Sequence, residues 1–349
     1  MRLNNKYAIH VLVMFYEIEM FKEWVKGIEN MIQDVENPEN IILHIDYSLR
    51  QDFEQIDEDA LPEEGYLIEE FHNQMDILIN MGVTWHDVIH RNMYKDDEPL
   101  SIARARREFN YEYADKVDLL MWGETDSFFP KETFQVLEQL SGNLTSQNIY
   151  RYVVSFAYRK MWDKSWAMLE HPEYMQLDYE DNDEWIMNNI ASEKCTMTIE
   201  QMNKLNEKYT KDGFDIMQFD QPLFDGSCVV FASDLIRSGV NIPQALLMSG
   251  EDTALGFMAK TIMGNGYIQF HVRNLLRVHN RRFELKRLYI KDEDNPHGGC
   301  GKDDKGMWWK VMETMSKENL YNLGNPKFKF NTWKDYFTSV IQQGFFKEK

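Results

Sequence analysis

Two carboxylates one residue apart, Glu124 and Asp126, stand in the segment GETDSFFP, directly after the apolar run VDLLMW. Carboxylate oxygens at the end of a buried strand can hold a divalent cation, and that cation can bridge and neutralise a diphosphate. The same pair could instead solvate the turn or cap the helix expected to begin near Lys131. Upstream, SIARARREFNYEYA (101–114) places Arg104, Arg106 and Arg107 in the first half of a helix opened by Ser101. Arginine forks and a helix N-terminus both suit phosphate or uracil oxygens, with a solvated basic face as the plain alternative. Glu251 and Asp252 open a further helix at GEDT, where they can cap it and meet its dipole. In a functional reading, Asp252 removes the proton of an attacking hydroxyl. His279 follows in RVHNRR, after a strand-like stretch, 27 residues beyond Asp252. The glycine-rich loop HGGCGKDDKG (297–306) carries Lys302 and Lys305, and is expected either to close over a phosphorylated ligand and exclude water or to be an ordinary exposed loop.

Taken in chain order, a strand, an acidic-x-acidic turn, a Glu-Asp helix start and a later His resemble the GT-A glycosyltransferases. The inverting, galactosyltransferase-like (glycosyltransferase family 2-like) pattern is the nearest match, here GEDTALGF, then VHNRR, then NPHGG. The resemblance runs through residues 5 to 300 or so in the order of elements, on short motifs. It implies that Asp126 ligates Mn2+ or Mg2+ together with a nucleotide-diphosphate sugar, and that His279 is the third protein ligand. Asp252 would be the base, Glu251 would hold the acceptor, and Asp46 would contact uridine or ribose. Arg104, Arg106, Glu124 and Lys302 would complete the donor site. Glu124 stands where the family has Asp, and its extra length leaves open whether it meets metal or ribose. The implied reaction is inverting transfer from a nucleotide-diphosphate sugar, UDP-sugar favoured, to a hydroxyl acceptor.

Four other readings share parts of this pattern. A retaining GT-A enzyme would use Glu251 and Asp252 differently. A sugar nucleotidyltransferase needs a Gly-rich basic signature after the first strand, where this chain has Glu17 and Glu19. A non-catalytic nucleotide-sugar binding module needs no acidic pair aligned with a Glu-Asp and a His. The Met-, Asn- and acid-rich style resembles that of bacteriophage proteins, which brings in a DNA glycosyltransferase acting on hydroxymethylated pyrimidines. That enzyme would have to flip its target base out of the duplex.

The elements that must position these residues alternate along the first 140 residues. Strands are expected at 7–16, 41–46, 85–90 and 117–122, with amphipathic helices at 20–33, 67–81 and 101–114. Such alternation argues for an α/β fold with a mostly parallel sheet flanked by helices, of the Rossmann-like GT-A kind, binding ligands beyond the carboxyl ends of its strands. Residues 1–160 form the expected nucleotide-sugar-binding part. Residues 161–225 carry an acidic run and a helix at 198–209, and read as an insertion or acceptor lobe. Residues 226–300 hold a strand at 228–232, a helix at 252–263, a strand at 267–278 and the metal-binding His, and 301–349 form a helical tail.

Composition narrows the partners. With 43% hydrophobic and 13% aromatic residues, the chain can build a packed core. Its three cysteines, Cys195, Cys228 and Cys300, are odd in number and widely spaced, which excludes a disulfide framework and suits a cytoplasmic protein. The apolar run 7–16 is short and interrupted by His10, so neither a signal peptide nor a membrane span is expected. Net charge is −20. From Arg281 onward there are 14 basic and 10 acidic residues, a balance of +4, which leaves −24 on the rest. An acidic body repels polyanions at long range, so a glycan acceptor is favoured over DNA, although the basic tail could grip a strand.

Overall fold

The computed structural model describes residues 1–49, 59–90, 94–95, 98–159, 197–219, 225–248, 250–280, 285, 288–289 and 307–342. The chain begins with β1 (Tyr7–Met14), α1 (Ile18–Ile32), β2 (Ile41–Ser48), α2 (Glu64–Asn80) and β3 (Thr84–His90). A short hairpin, β4 (Tyr94–Lys95) and β5 (Glu98–Pro99), precedes α3 (Ile102–Tyr113), β6 (Leu119–Gly123), β7 (Ser127–Phe128), α4 (Thr133–Ser146) and β8 (Tyr152–Arg159). The second half contributes α5 (Ile199–Thr210), β9 (Ile216–Phe219), β10 (Cys228–Ala232), α6 (Ser233–Arg237), α7 (Glu251–Met263) and β11 (Ile268–His279). Two tail helices follow, α8 (Met307–Tyr321) and α9 (Trp333–Gln342).

One sheet organises these elements, in the order β3-β2-β1-β6-β10-β8-β11-β7, with β9 also paired to β11. Strands β3, β2, β1 and β6 run parallel; β10 is antiparallel to both β6 and β8, and β11 runs parallel to β8. The sheet is therefore mixed but mostly parallel, as the alternating pattern predicts. The run YAIHVLVM of β1 is apolar on both faces because helices cover both. On one face Ile9, Val11, Leu43, Ile45, Leu119 and Met121 pack with α1, α2 and α4 in a single buried cluster. On the other, Ala8, Leu120, Trp122, Val229 and Phe231 pack with α3, α6 and α7. Among the described residues, no helix is long and apolar enough to cross a membrane.

The caps follow the sequence. Ser101 accepts the Arg104 backbone N–H at 3.1 Å to open α3, and Thr198 and Gln201 form a reciprocal capping box on α5. Helix α5 has a second task. Strand β11 shifts register against β8 between Val272 and Leu276, and Asn206 of α5 satisfies both backbone groups of Leu276, each at 2.7 Å. That clamp fixes the strand directly before Arg277 and His279.

Two histidines are buried in the sheet with depressed basicity. Burial pushes His10 down to about 4, against hydrogen bonding and attraction from Asp46. His271 also falls to about 4, through burial and then the nearby Arg273 charge. The unfolded chain takes up these protons near pH 6.5 and the folded chain only near 4, so stability is full above 6.5 and declines as pH drops through that window. Each group is expected to cost about 2 kcal/mol between pH 7 and pH 4.5. Urea unfolding of the wild type and of His271→Gln at those two pH values checks this. The variant should lose less stability on acidification, and equal losses would show that His271 does not carry the effect.

Candidate metal and donor site

The acidic turn begins one residue past β6, at the carboxyl end of the parallel strands. Pairing of β7 with β11 sets His279 opposite Ser127 and Val278 opposite Phe128, while the Asn280 N–H donates to the Asp126 carbonyl at 2.7 Å. This short ladder carries the His279 ring to the turn. Its Nε2 lies 3.3 Å from Glu124 Oε2 and 3.4 Å from Asp126 Oδ1. One donor atom from each of Glu124, Asp126 and His279 lies within 4.8 Å of the other two. Asp126 is fully buried, His279 is nearly so, and Glu124 keeps about a third of its side chain exposed. Burial works to raise the Glu124 pKa, but hydrogen bonding and attraction from His279, with Arg106 behind it, outweigh this and hold it down to about 2.

Glu17 fixes the middle of the turn. It is buried at the start of α1, and its Oε2 accepts the Thr125 hydroxyl at 3.1 Å and the Met14 N–H at 3.3 Å. The residue that counts against a nucleotidyltransferase signature is thus the anchor of the acidic turn.

Arg106 lies beneath the site. It is fully buried and ion-pairs with Glu251, while its Nη2 reaches Glu124 Oε1 and the Gly123 carbonyl, each at 3.3 Å. Its guanidinium sits 5.0 Å from the Trp122 ring centroid. The sequence suggests a phosphate grip here, but the structure places this side chain in the floor between two carboxylates. Arg104, also buried, donates to Glu108 at 2.7 Å, one helical turn on.

Glu251 and Asp252 begin α7, as expected. Glu251 is buried, and burial, with Asp252 and Glu124 nearby, raises its pKa to about 7 against the attraction of Arg106. It faces Arg106 and is enclosed, a different setting from the acceptor-holding role that the GT-A resemblance implies. Asp252 is half-buried; Oδ2 accepts the Gly226 N–H at 3.1 Å, and Oδ1 the Thr253 N–H at 2.6 Å. The Asp225–Gly226–Ser227 turn is held from the other side by the buried Arg277, which ion-pairs with Asp225 and donates to Ser227 and Ser127. Sequence reasoning missed this turn. Its signal is only a small-residue break, DGSC, before a buried strand.

Asp46 lies near the carboxyl end of β2, buried, with His10 Nε2 at 2.8 Å and His90 Nε2 at 2.7 Å. His44 Nε2 is 3.6 Å away, and its Nδ1 meets the Tyr113 hydroxyl at 3.0 Å. Burial works to raise the Asp46 pKa, and the hydrogen bonds from His10 and His90, with His44 close beside them, overcome it and hold the carboxyl well below its ordinary range. His10, His44 and His86 are in register across three strands, a row that no local sequence signal reveals. Lys302 and the glycine-rich loop lie outside the described residues.

Two carboxylates and one imidazole form a mixed oxygen and nitrogen donor set. Carboxylates suit Mg2+ and Mn2+, and the imidazole tilts the preference toward Mn2+. The residues present therefore fit the implied ion.

No protein-family model matches the chain, and no curated protein sequence does. Among solved structures, a mycobacterial protein aligns with 81% of this chain and 70% of its own, at 12% identity and a TM-score of 0.39. A likeness at that level carries no functional argument. The class that the fold itself supports is a Rossmann-like α/β protein with a mostly parallel sheet.

Proposed function

We propose that the protein is a metal-dependent GT-A glycosyltransferase that moves a sugar from a nucleotide diphosphate, UDP favoured, to a hydroxyl acceptor with inversion. The observation that carries this reading is the convergence of Glu124, Asp126 and His279 at the carboxyl end of the sheet, with Asp252 hydrogen-bonded to Gly226, which packs beside the Arg106 that reaches Glu124. A Mn2+ or Mg2+ ion held by the three ligands would neutralise charge on the departing diphosphate.

The chain's own residues supply the remaining steps. Asp252 takes the proton of the acceptor hydroxyl as its oxygen bonds to the anomeric carbon. The bond from that carbon to the diphosphate oxygen breaks, and its electron pair leaves with the nucleoside diphosphate. Glu17 and the β7–β11 ladder hold the ligands in place, so little rearrangement is needed when charge develops. The acidic body favours a glycan acceptor over nucleic acid.

A thermal-shift titration with UDP, GDP, CDP and TDP, each with and without Mn2+, tests the donor site. Stabilisation by one diphosphate only when Mn2+ is present is the expected result, and no stabilisation by any of them removes the reading. Asp126→Asn should weaken Mn2+ binding at least about tenfold, a loss of 1.4 kcal/mol or more. Calorimetric binding unchanged from wild type would remove Asp126 from the ligand set.

A further inference from the structure

The floor of the site holds one cation between two carboxylates. Arg106 directs Nη1 to Glu251 and Nη2 to Glu124, and both contacts are shielded from solvent on the arginine's side. Trp122 lies against the guanidinium, and Gly226 crowds it from the Glu251 side: a Cβ there would come within 2.6 Å of Arg106 Nη1 and 2.9 Å of Glu251 Oε1. The guanidinium has little room to leave, so its charge is divided between its two carboxylate partners, with the Gly123 carbonyl beside Glu124. Glu124 is the one group that belongs both to this bridge and to the Glu124–Asp126–His279 cluster. A divalent cation and Arg106 therefore compete for the same carboxylate.

We infer that Arg106 is a positioning residue that couples cation affinity at Glu124, Asp126 and His279 to the charge on Glu251. The inference rests on reading those three residues as cation ligands. With Glu251 ionised, Arg106 is shared, and Glu124 has electron density to give to the cation. With Glu251 neutral, the guanidinium turns its whole attraction on Glu124 and opposes the incoming ion. The coupling is reciprocal by necessity: cation binding that draws on Glu124 strengthens the Arg106–Glu251 pair. The start of α7, where Asp252 follows Glu251, is thereby held more firmly in the cation-loaded protein. Metal binding and placement of the base would become one event.

The test is a Mn2+ titration of the full chain with no nucleotide, reading free Mn2+ by electron paramagnetic resonance, with thermal melts to verify folding. Glu251→Gln preserves shape and removes charge, and it should weaken Mn2+ binding by about fivefold or more, the lower end of ordinary site-to-site coupling. The double variant Arg106→Met/Glu251→Gln removes the competitor with its partner, and should bind Mn2+ tighter than wild type by a similar factor. General damage to the site would weaken binding in both proteins, so the opposite signs are diagnostic. Should the methionine leave a void and unfold the chain, Arg106→Gln/Glu251→Gln carries the same expectation with a hydrogen-bonding pair in its place. Affinities equal to wild type, or weakened in single and double variants alike, overturn the inference and leave the metal site standing. A wild-type protein that binds no Mn2+ overturns both.

Discussion

Replacing Asp252 by Asn is expected to leave binding of a nucleoside diphosphate with Mn2+ within about twofold of wild type, while turnover falls by roughly two to four orders of magnitude. Asparagine matches aspartate in size, and its single amide oxygen can still accept the Gly226 N–H that Oδ2 accepts at 3.1 Å, so the turn before β10 keeps its place, while the Thr253 N–H loses the acceptor it has in Oδ1. The larger loss is the capacity to take a proton. A structural role for Asp252 would show instead as a lowered melting temperature and weakened donor binding together. The deciding comparison sets single-turnover transfer beside calorimetric donor binding in the same preparation. Turnover within tenfold of wild type would reassign the base and leave Asp252 as a cap of α7.

Gly226→Ala is expected to lower the unfolding free energy by about 3 kcal/mol, because it forces apart a buried ion pair. The added methyl would sit 2.6 Å from Arg106 Nη1 and 2.9 Å from Glu251 Oε1, closer than such atoms approach. Both are side-chain ends, but both are buried and paired, so moving either exposes the other as an uncompensated charge. Gly142 of α4 is the matched control: nothing lies within 4 Å of the Cβ an alanine would add, and Ala suits a helix interior better than Gly by roughly 0.5–1 kcal/mol. Urea unfolding should therefore shift the two variants in opposite directions. If Gly226→Ala unfolds at the wild-type midpoint, the Arg106–Glu251 pair has slack that the close packing does not suggest.

The local grammar of the chain is readable where one periodicity persists over many residues. Strand β10 falls at the bounds the sequence implies, and α1, α2, α3 and α7 are displaced by only a few residues. Asp126 and His279 are legible as candidates from residue type and surrounding pattern. Their contact is not, because it depends on β7, a two-residue strand too short for any period, pairing with a strand some 150 residues later. Strand β8 (YVVSFAYR) is not legible in the sequence because a short apolar run does not distinguish strand from buried helix. The four residues of β9 give still less signal. The surroundings of Arg106 are illegible for a related reason. An RARR run on a helix suggests a phosphate grip, and nothing local in it shows that Glu251, 145 residues away, also holds Arg106.

The two-residue ladder between β7 and β11 also dictates when the site can come into being. During synthesis, the halves of the acidic turn emerge together with β1, β2, β3 and β6, and these strands can begin to pair before the rest of the chain exists. His279 arrives more than 150 residues later, and its contact is among the longest loops the chain has to close. Until then Glu124 and Asp126 face each other without the imidazole, and without Glu251 to draw Arg106 away from Glu124. A nascent chain that has not yet reached His279 can thus hold the parallel strands β3, β2, β1 and β6 but not the full cation-binding set, which waits for β11 to pair with β7.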